Sequence, residues 1–171
     1  MTSKEFELIR KMLRKQARLD QAIMEEYRLD KIYERNLNLA ILDEIGELTH
    51  ELKANWCWWK KTQVPVDRKK VLGELVDIWH FVLSWQNNFN NGAICFGPDS
   101  DVKRRAKQQC NLMHSISNSL TYAFIRLVSY PVYRIESLIA ITEYLGFTIE
   151  QVYEAYCDKN KVNYQRLESG Y

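Results

Sequence analysis

Four carboxylates, arranged as two pairs at helical spacing, are the residues of this sequence best suited to chemistry. Glu44 and Glu47 form the first pair, and Glu74 and Asp77 form the second. Side chains three residues apart share a helix face, so each pair points two carboxylates in one direction. Both pairs interrupt apolar helical segments, where a carboxylate is costly unless a cation or hydrogen-bond donors compensate it. Two such helices side by side would form an oxygen-rich site for Mg²⁺ and phosphate chemistry.

The alternative for such acids is an ordinary solvated helix face, which is the more frequent case. The second pair argues against it, because Glu74 and Asp77 have apolar residues on nearly every side of their helix. Those neighbours are Val71, Leu72, Leu75, Val76, Ile78 and Trp79. Glu51, one turn beyond Glu47, fits either an outer ligand or a surface acid, and we favour the surface position.

Helical periodicity runs through nearly the whole chain and predicts the elements that position these acids. The predicted helices cover 4–26, about 32–55, about 68–88 with Asp67 as N-cap, about 102–129, a short segment from Pro131 to near Gly146, and a last helix opening at the capping box 148–151. On the first helix, Phe6, Ile9, Leu13 and Ala17 are expected to form the buried stripe. No convincing strand pattern is present, so the fold class is predicted to be all-α.

Composition limits the class of protein. At 171 residues, with 46% hydrophobic and 27% charged residues, the chain fits one globular domain over 1–171. A net charge of +2 is too small to indicate nucleic-acid binding. No apolar run is long enough for a membrane span, and the N-terminus lacks the apolar block of a signal peptide. Four scattered cysteines without a C-x-x-C pair indicate free thiols in a cytoplasmic protein.

Several blocks of the sequence resemble the dimeric, all-α dUTPases, which belong to the all-α nucleoside-triphosphate pyrophosphatase superfamily with the MazG-like enzymes. The superfamily hallmark is E-x-x-E followed by E-x-x-D, as at 44–47 and 74–77. The blocks that narrow the resemblance are ELVDIWHF at 74–81, WCWWKK at 56–61, MLRKQARLD at 12–20, and KNKVNYQR at 159–166 followed by GY at 170–171. The resemblance implies a helical bundle of the all-α pyrophosphatase type, and a phage source is compatible with it.

The resemblance also implies a reaction, in which water attacks the α-phosphorus of dUTP to give dUMP and pyrophosphate with Mg²⁺. The expected metal ligands are Glu44, Glu47, Glu74 and Asp77, and Glu47 is the expected base toward the water. A homodimer is expected as well. Some phage members of the family also bind repressor proteins, so a repressor partner is expected if the chain is phage-encoded.

Basic and amide side chains near the C-terminus are candidates for the phosphate site. Lys159, Asn163 and Arg166 fall at i, i+4 and i+7 on one helix face, and Arg can bind phosphate bidentately. A solvated basic tail is the alternative on spacing alone, and the family resemblance favours the phosphate clamp. Lys60 fits a phosphate ligand and a loop-flanking residue equally well.

The uracil base and the sugar require a flat apolar slot and a few amide-type partners. Gln16 can donate and accept, as the edge of uracil requires, and Asp20 faces the same way one turn later. A surface ion pair is the alternative for Asp20, which stands where some relatives have Asn. Trp59 and Phe81 are candidates for stacking or for the sugar floor, although aromatic residues at helical spacing are more often core.

Two other functions remain open at this point. A pyrophosphatase of the same fold could act on dCTP or on a broader nucleotide set, because the hallmark acids do not specify the base. A helical regulatory binding protein, in which the acids only form salt bridges, is the alternative from a different class.

Overall fold

The computed structural model of the chain describes residues 1–92, 99–116 and 119–170. These residues form eight α-helices and one 3-10 turn, and none of them lies in a β-strand. The helices are α1 (Ser3–Glu26), α2 (Glu34–Glu51), α3 (Lys53–Trp56), α4 (Arg68–Phe89), α5 (Asp99–Ser115), α6 (Ser119–Ser129), α7 (Arg134–Tyr144) and α8 (Ile149–Glu168). The predicted all-α helical bundle is confirmed.

Helix α4 lies at the centre of the bundle and packs against α1, α2, α7 and α8. Its side chains are buried on nearly all sides, as the apolar sequence around the second acidic pair predicted. Trp79 is fully buried, and its indole N–H donates to the Thr142 hydroxyl on α7 at 3.2 Å. Because α2 packs along α4, the helices that carry the two acidic pairs are direct neighbours.

Helices α5, α6 and α7 pack on one another and complete the bundle. The single helix predicted over 102–129 is wrong, because α5 ends at Ser115 and α6 begins at Ser119. The sequence has no Gly or Pro there, so its helical periodicity continues across the point where the two helices divide. Ser115 and Ser119, which lie on either side of the division, are of a residue type that is common in turns.

Three predicted helix boundaries are confirmed, two by their hydrogen bonds and one by its backbone conformation. Asp67 caps α4 by accepting from the backbone N–H of Lys69 at 2.8 Å. Thr148 and Gln151 form the predicted capping box of α8. Gly146 has φ +76°, the left-handed conformation expected of the residue that follows a helix C-cap.

Two details of the predicted helices differ. The second helix ends at Glu51, earlier than predicted, and the short helix α3 follows it. On α1, Ala17 is exposed, whereas Gln16 and Asp20 are buried. Helix α1 packs against both α4 and α8, so its buried arc is wide enough to include polar positions whose hydrogen bonds are made inside the protein.

Cys57, Cys110 and Cys157 are free thiols, as predicted. Cys95 and Tyr171 lie outside the described residues, as do the other residues of 93–98 between the predicted third and fourth helices. Among the described helices, none is long and apolar enough to cross a membrane.

Candidate metal centre

Three of the four predicted ligands converge between α2 and α4. Glu44 from α2 and Glu74 and Asp77 from α4 each offer a carboxylate oxygen, and these oxygens lie within 4.8 Å of one another. All three side chains are half-buried. The helical spacing aims each acid toward the other helix, and the packing of α2 on α4 closes the distance between them. This acidic triad could hold a divalent metal ion.

Glu47 lies at the edge of the triad. It is exposed, and its charge contributes, after burial and the charge of Asp77, to raising the pKa of Glu74. Together with Glu74 it lines a cleft of about 360 Å³ that opens to solvent. Glu51 lines the same cleft, where it is half-buried on the turn beyond Glu47. Glu47 is therefore placed to face water on one side and the triad on the other.

The electrostatics of the triad favour the binding of a cation. Burial, followed by the charges of Asp77, Glu47 and Glu74, raises the pKa of Glu44 to about 7. Burial likewise raises the pKa of Glu74 and of Asp77. At an effective dielectric constant of about 20, two carboxylates 4.8 Å apart repel by roughly 3.5 kcal/mol.

An unpartnered atom is a second feature that favours the binding of a cation. The Oε2 atom of Glu44 is buried and makes no hydrogen bond to the described residues. Carboxylate oxygens alone make up this donor set, and such ligands suit Mg²⁺. The residues present therefore fit a hard divalent cation.

Lys159 supplies a positive charge at the same place. From α8 its ammonium group donates to Asp77 Oδ2 at 2.6 Å. Its hydrogen bond and charge, and the charge of Arg166 further along α8, lower the pKa of Asp77 against the effect of burial. Asn163 is half-buried on the same helix face. Lys60 is exposed in the segment after α3, and none of the described residues forms an ion pair with it.

The two predicted base-binding residues on α1 are joined to each other. The side-chain amide of Gln16 donates to Asp20 Oδ1 at 2.7 Å. Asp20 Oδ2 accepts from the amide of Asn88 on α4 at 3.2 Å, and burial raises the pKa of Asp20. Asp20 and Asn88 also line a cleft of about 490 Å³ between α1 and α4. The surface ion pair considered for Asp20 is thus replaced by internal hydrogen bonds.

The predicted aromatic residues differ in environment. Trp59 is 58% exposed, and its ring centroid lies 5.6 Å from that of Trp56 and 5.7 Å from that of Trp58. Phe81 is partly buried against the core from α4. No hydrogen bond or ring contact joins Trp59 or Phe81 to the acidic triad in the described ranges.

Sequence reasoning did not single out three polar residues beside Gln16 and Asp20. Tyr156 from α8 is fully buried and donates to Gln16 Oε1 at 2.8 Å. Ser84 and Asn88 from α4 hydrogen-bond to Asp20. A signal for two of them exists, because His80, Ser84 and Asn88 form a polar i, i+4, i+8 series within a mostly apolar helix.

A comparison with protein families gives a match over nearly the whole chain. A family model described as dUTPase matches residues 8–171. No curated protein matches the chain.

Proposed function

The chain belongs to the dUTPase family and is a dUTP diphosphatase, and we propose that it acts with Mg²⁺ held by Glu44, Glu47, Glu74 and Asp77. The observation that carries the metal assignment is the convergence of Glu44, Glu74 and Asp77, with a buried and unpartnered Glu44 oxygen among them. When bound there, Mg²⁺ would neutralise phosphate charge and lower the pKa of the attacking water.

Glu47 is our proposed general base. Its carboxylate borders the triad yet is exposed, so a water molecule can reach it without displacing a packed side chain. It takes a proton from the water as the water oxygen bonds to the α-phosphorus. The bond from the α-phosphorus to the bridging oxygen then breaks, and pyrophosphate leaves with that oxygen.

The phosphate site is proposed to comprise Lys159, Asn163 and Arg166 from α8, with Lys60 from the segment after α3. Support comes from Lys159, whose ammonium group already lies at Asp77, on the rim of the acidic triad. A cation in that position can bind a phosphate oxygen next to the metal and remain near the carboxylate.

Gln16, Asp20, Trp59 and Phe81 remain our proposed base and sugar site. Gln16 and Asp20 are held rigidly by internal hydrogen bonds, and a rigid amide discriminates between bases better than a mobile one. Trp59 offers an exposed aromatic face.

We also propose that the protein is a homodimer and that it resides in the reducing cytoplasm. The three free thiols in the described part of the chain support this location. Sedimentation velocity over a range of concentrations tests the dimer, which a monomer throughout would contradict. A repressor partner, expected for a phage-encoded member, stays a prediction.

The experiment that tests the proposed function is hydrolysis of dUTP beside dCTP, dTTP and UTP, with Mg²⁺ and with excess chelator. We expect pyrophosphate rather than single phosphate from dUTP, and no turnover in chelator. Turnover of dCTP at a similar rate would support the broader pyrophosphatase. Undiminished turnover in chelator would contradict the metal assignment.

A further inference from the structure

The side chain of Gln16 is held by three hydrogen bonds that come from three different helices. Its Oε1 atom lies 2.7 Å from His80 Nδ1 on α4 and 2.8 Å from the Tyr156 hydroxyl on α8. Its Nε2 atom donates to Asp20 Oδ1 at 2.7 Å within α1. Gln16, His80 and Tyr156 are all buried, and the His80 and Tyr156 rings stack 4.1 Å apart.

These partners permit only one orientation of the amide. The carboxylate of Asp20 accepts hydrogen bonds, so the NH₂ group of Gln16 must face it. The carbonyl of Gln16 then faces His80 and Tyr156, and both must donate. The Tyr156 hydroxyl also lies 3.3 Å from the Met12 carbonyl, but its single proton belongs on the shorter contact, where two oxygens would otherwise repel.

The hydrogen-bonding capacity that remains is small. Both lone pairs of Gln16 Oε1 are occupied by the two donors, and one of the two N–H groups is occupied by Asp20. The side chain of Gln16 makes no other hydrogen bond to the described residues. A single N–H is therefore all that Gln16 can offer to a ligand.

This hydrogen-bonded layer lies next to the acidic triad. His80 follows Asp77 by three residues on α4, and Tyr156 precedes Lys159 by three residues on α8. Three residues of helix rise by about 4.5 Å. Since Lys159 pairs with Asp77 while Tyr156 stacks on His80, the two layers are adjacent along both helices.

We propose that Tyr156 is a positioning residue that, with His80, makes Gln16 a hydrogen-bond donor only and thereby selects a base with a carbonyl oxygen over one with an amino group. This inference rests on the proposed base site. Uracil carries a carbonyl oxygen at the ring position where cytosine carries an amino group. A donor-only amide binds the first and leaves two donors facing each other with the second.

Tyr156→Phe tests the proposal, because it removes the hydroxyl and keeps the stacked ring. The carbonyl of Gln16 then loses one of its two donors, which weakens the preference for the amide orientation that presents an N–H to the base. The ratio of kcat/KM for dUTP to that for dCTP is expected to fall roughly tenfold, about the effect of one hydrogen bond, mainly through KM. Tyr153→Phe is the matched control. Tyr153 is a half-buried tyrosine on the same helix, and its hydroxyl forms a hydrogen bond with Cys157 rather than with Gln16. It should leave the ratio unchanged.

A second variant does not depend on Tyr156. Gln16→Glu retains the doubly accepting oxygen and can share a proton with Asp20, but it has no N–H for the substrate. It should raise KM for dUTP at least tenfold with a smaller change in kcat.

An unchanged dUTP-to-dCTP ratio in Tyr156→Phe, with only a lower Tm, would overturn the proposal and leave Tyr156 a structural residue. If that variant does not fold, a wild-type KM for dUTP in Gln16→Glu would overturn it equally. Absence of dUTP turnover in the wild-type protein would instead contradict the proposed function.

Discussion

At the scale of single residues, the acidic triad explains why apolar helices contain carboxylates. Glu44, Glu74 and Asp77 repel one another and are partly desolvated, so without a cation each is held at a cost. Lys159 offsets part of that cost at Asp77, and Glu44 has no equivalent partner among the described residues. In the proposed metal site, relief of this repulsion would add to the binding energy of the ion, whereas it costs stability in the metal-free protein.

The first prediction concerns the two triad members on α4. Glu74→Gln and Asp77→Asn should abolish measurable dUTP turnover while preserving the helical fold, because each removes a charged ligand but keeps the side-chain shape. Steady-state kinetics and far-UV circular dichroism provide the two measurements. Glu154→Gln, at an exposed position on α8, is the control and should keep full activity. Near-normal rates in both triad variants would contradict the assignment of the metal site.

The second prediction concerns pH and Glu44. Because its pKa in the folded protein, about 7, lies above the ordinary value of 4.5, protonation of Glu44 favours the folded state. That contribution is complete below about pH 4.5 and is lost as the pH rises through about 7. The Tm of the metal-free protein should fall more steeply from pH 5 to pH 8 than the Tm of Glu44→Gln. Mg²⁺ should restore the loss at pH 8 and bind more weakly at pH 6. Parallel Tm profiles for the two proteins would count against this account.

At the scale of elements, the junction between α7 and α8 fixes the position of the helix that carries the proposed phosphate clamp. Gly146 ends α7 in a left-handed conformation, and Arg68 from the start of α4 donates to the carbonyls of Leu145 and Gly146. The guanidinium of Arg68 also lies 4.1 Å from the ring centroid of Phe147. The first turn of α4 is thereby tied to the segment that starts α8.

The third prediction tests this junction with two opposite glycine substitutions. Gly146→Ala should destabilise the protein by about 1–2 kcal/mol, since an L-residue is strained at φ +76°. Gly73→Ala, within α4 and with no atom within 4 Å of an added Cβ, should instead stabilise it by about 0.5–1 kcal/mol. Urea unfolding measures both. Equal effects of the two substitutions would refute the role of the left-handed turn.

At the scale of the whole molecule, α4 connects the two halves of the bundle. It contacts α1, α2 and α8 around the candidate site and also α7, which packs on α5 and α6. Trp79 bridges to Thr142 across this contact. A single domain over 1–171 stays a prediction, and the shared central helix is the feature of the described residues that supports it.

The fourth prediction follows from that shared helix. Thermal unfolding followed by far-UV circular dichroism and by tryptophan fluorescence should give one coincident transition, because tryptophans from α3 and α4 report on both sides of the bundle. Two separated transitions would show that helices α5, α6 and α7 unfold independently of the rest of the bundle.

The sequence by itself determined the chemistry and most of the helices. Spacing put each acidic pair on one helix face, capping residues such as Asp67 and Thr148 marked helix starts, and the blocks along the chain identified the family. These features are readable because they depend on neighbours a few residues apart, whose relative positions the helix geometry determines.

Only the tertiary structure decided how separate helices meet. It brought Glu44 beside Glu74 and Asp77 while leaving Glu47 exposed at the edge, and it placed Tyr156 on the carbonyl of Gln16. Helical spacing defines a face but not the distance or angle to another helix, which depends on the packing of side chains from both partners. For the same reason the sequence could show that Gln16 has an amide to offer, and only the fold shows which end of that amide is left for a ligand.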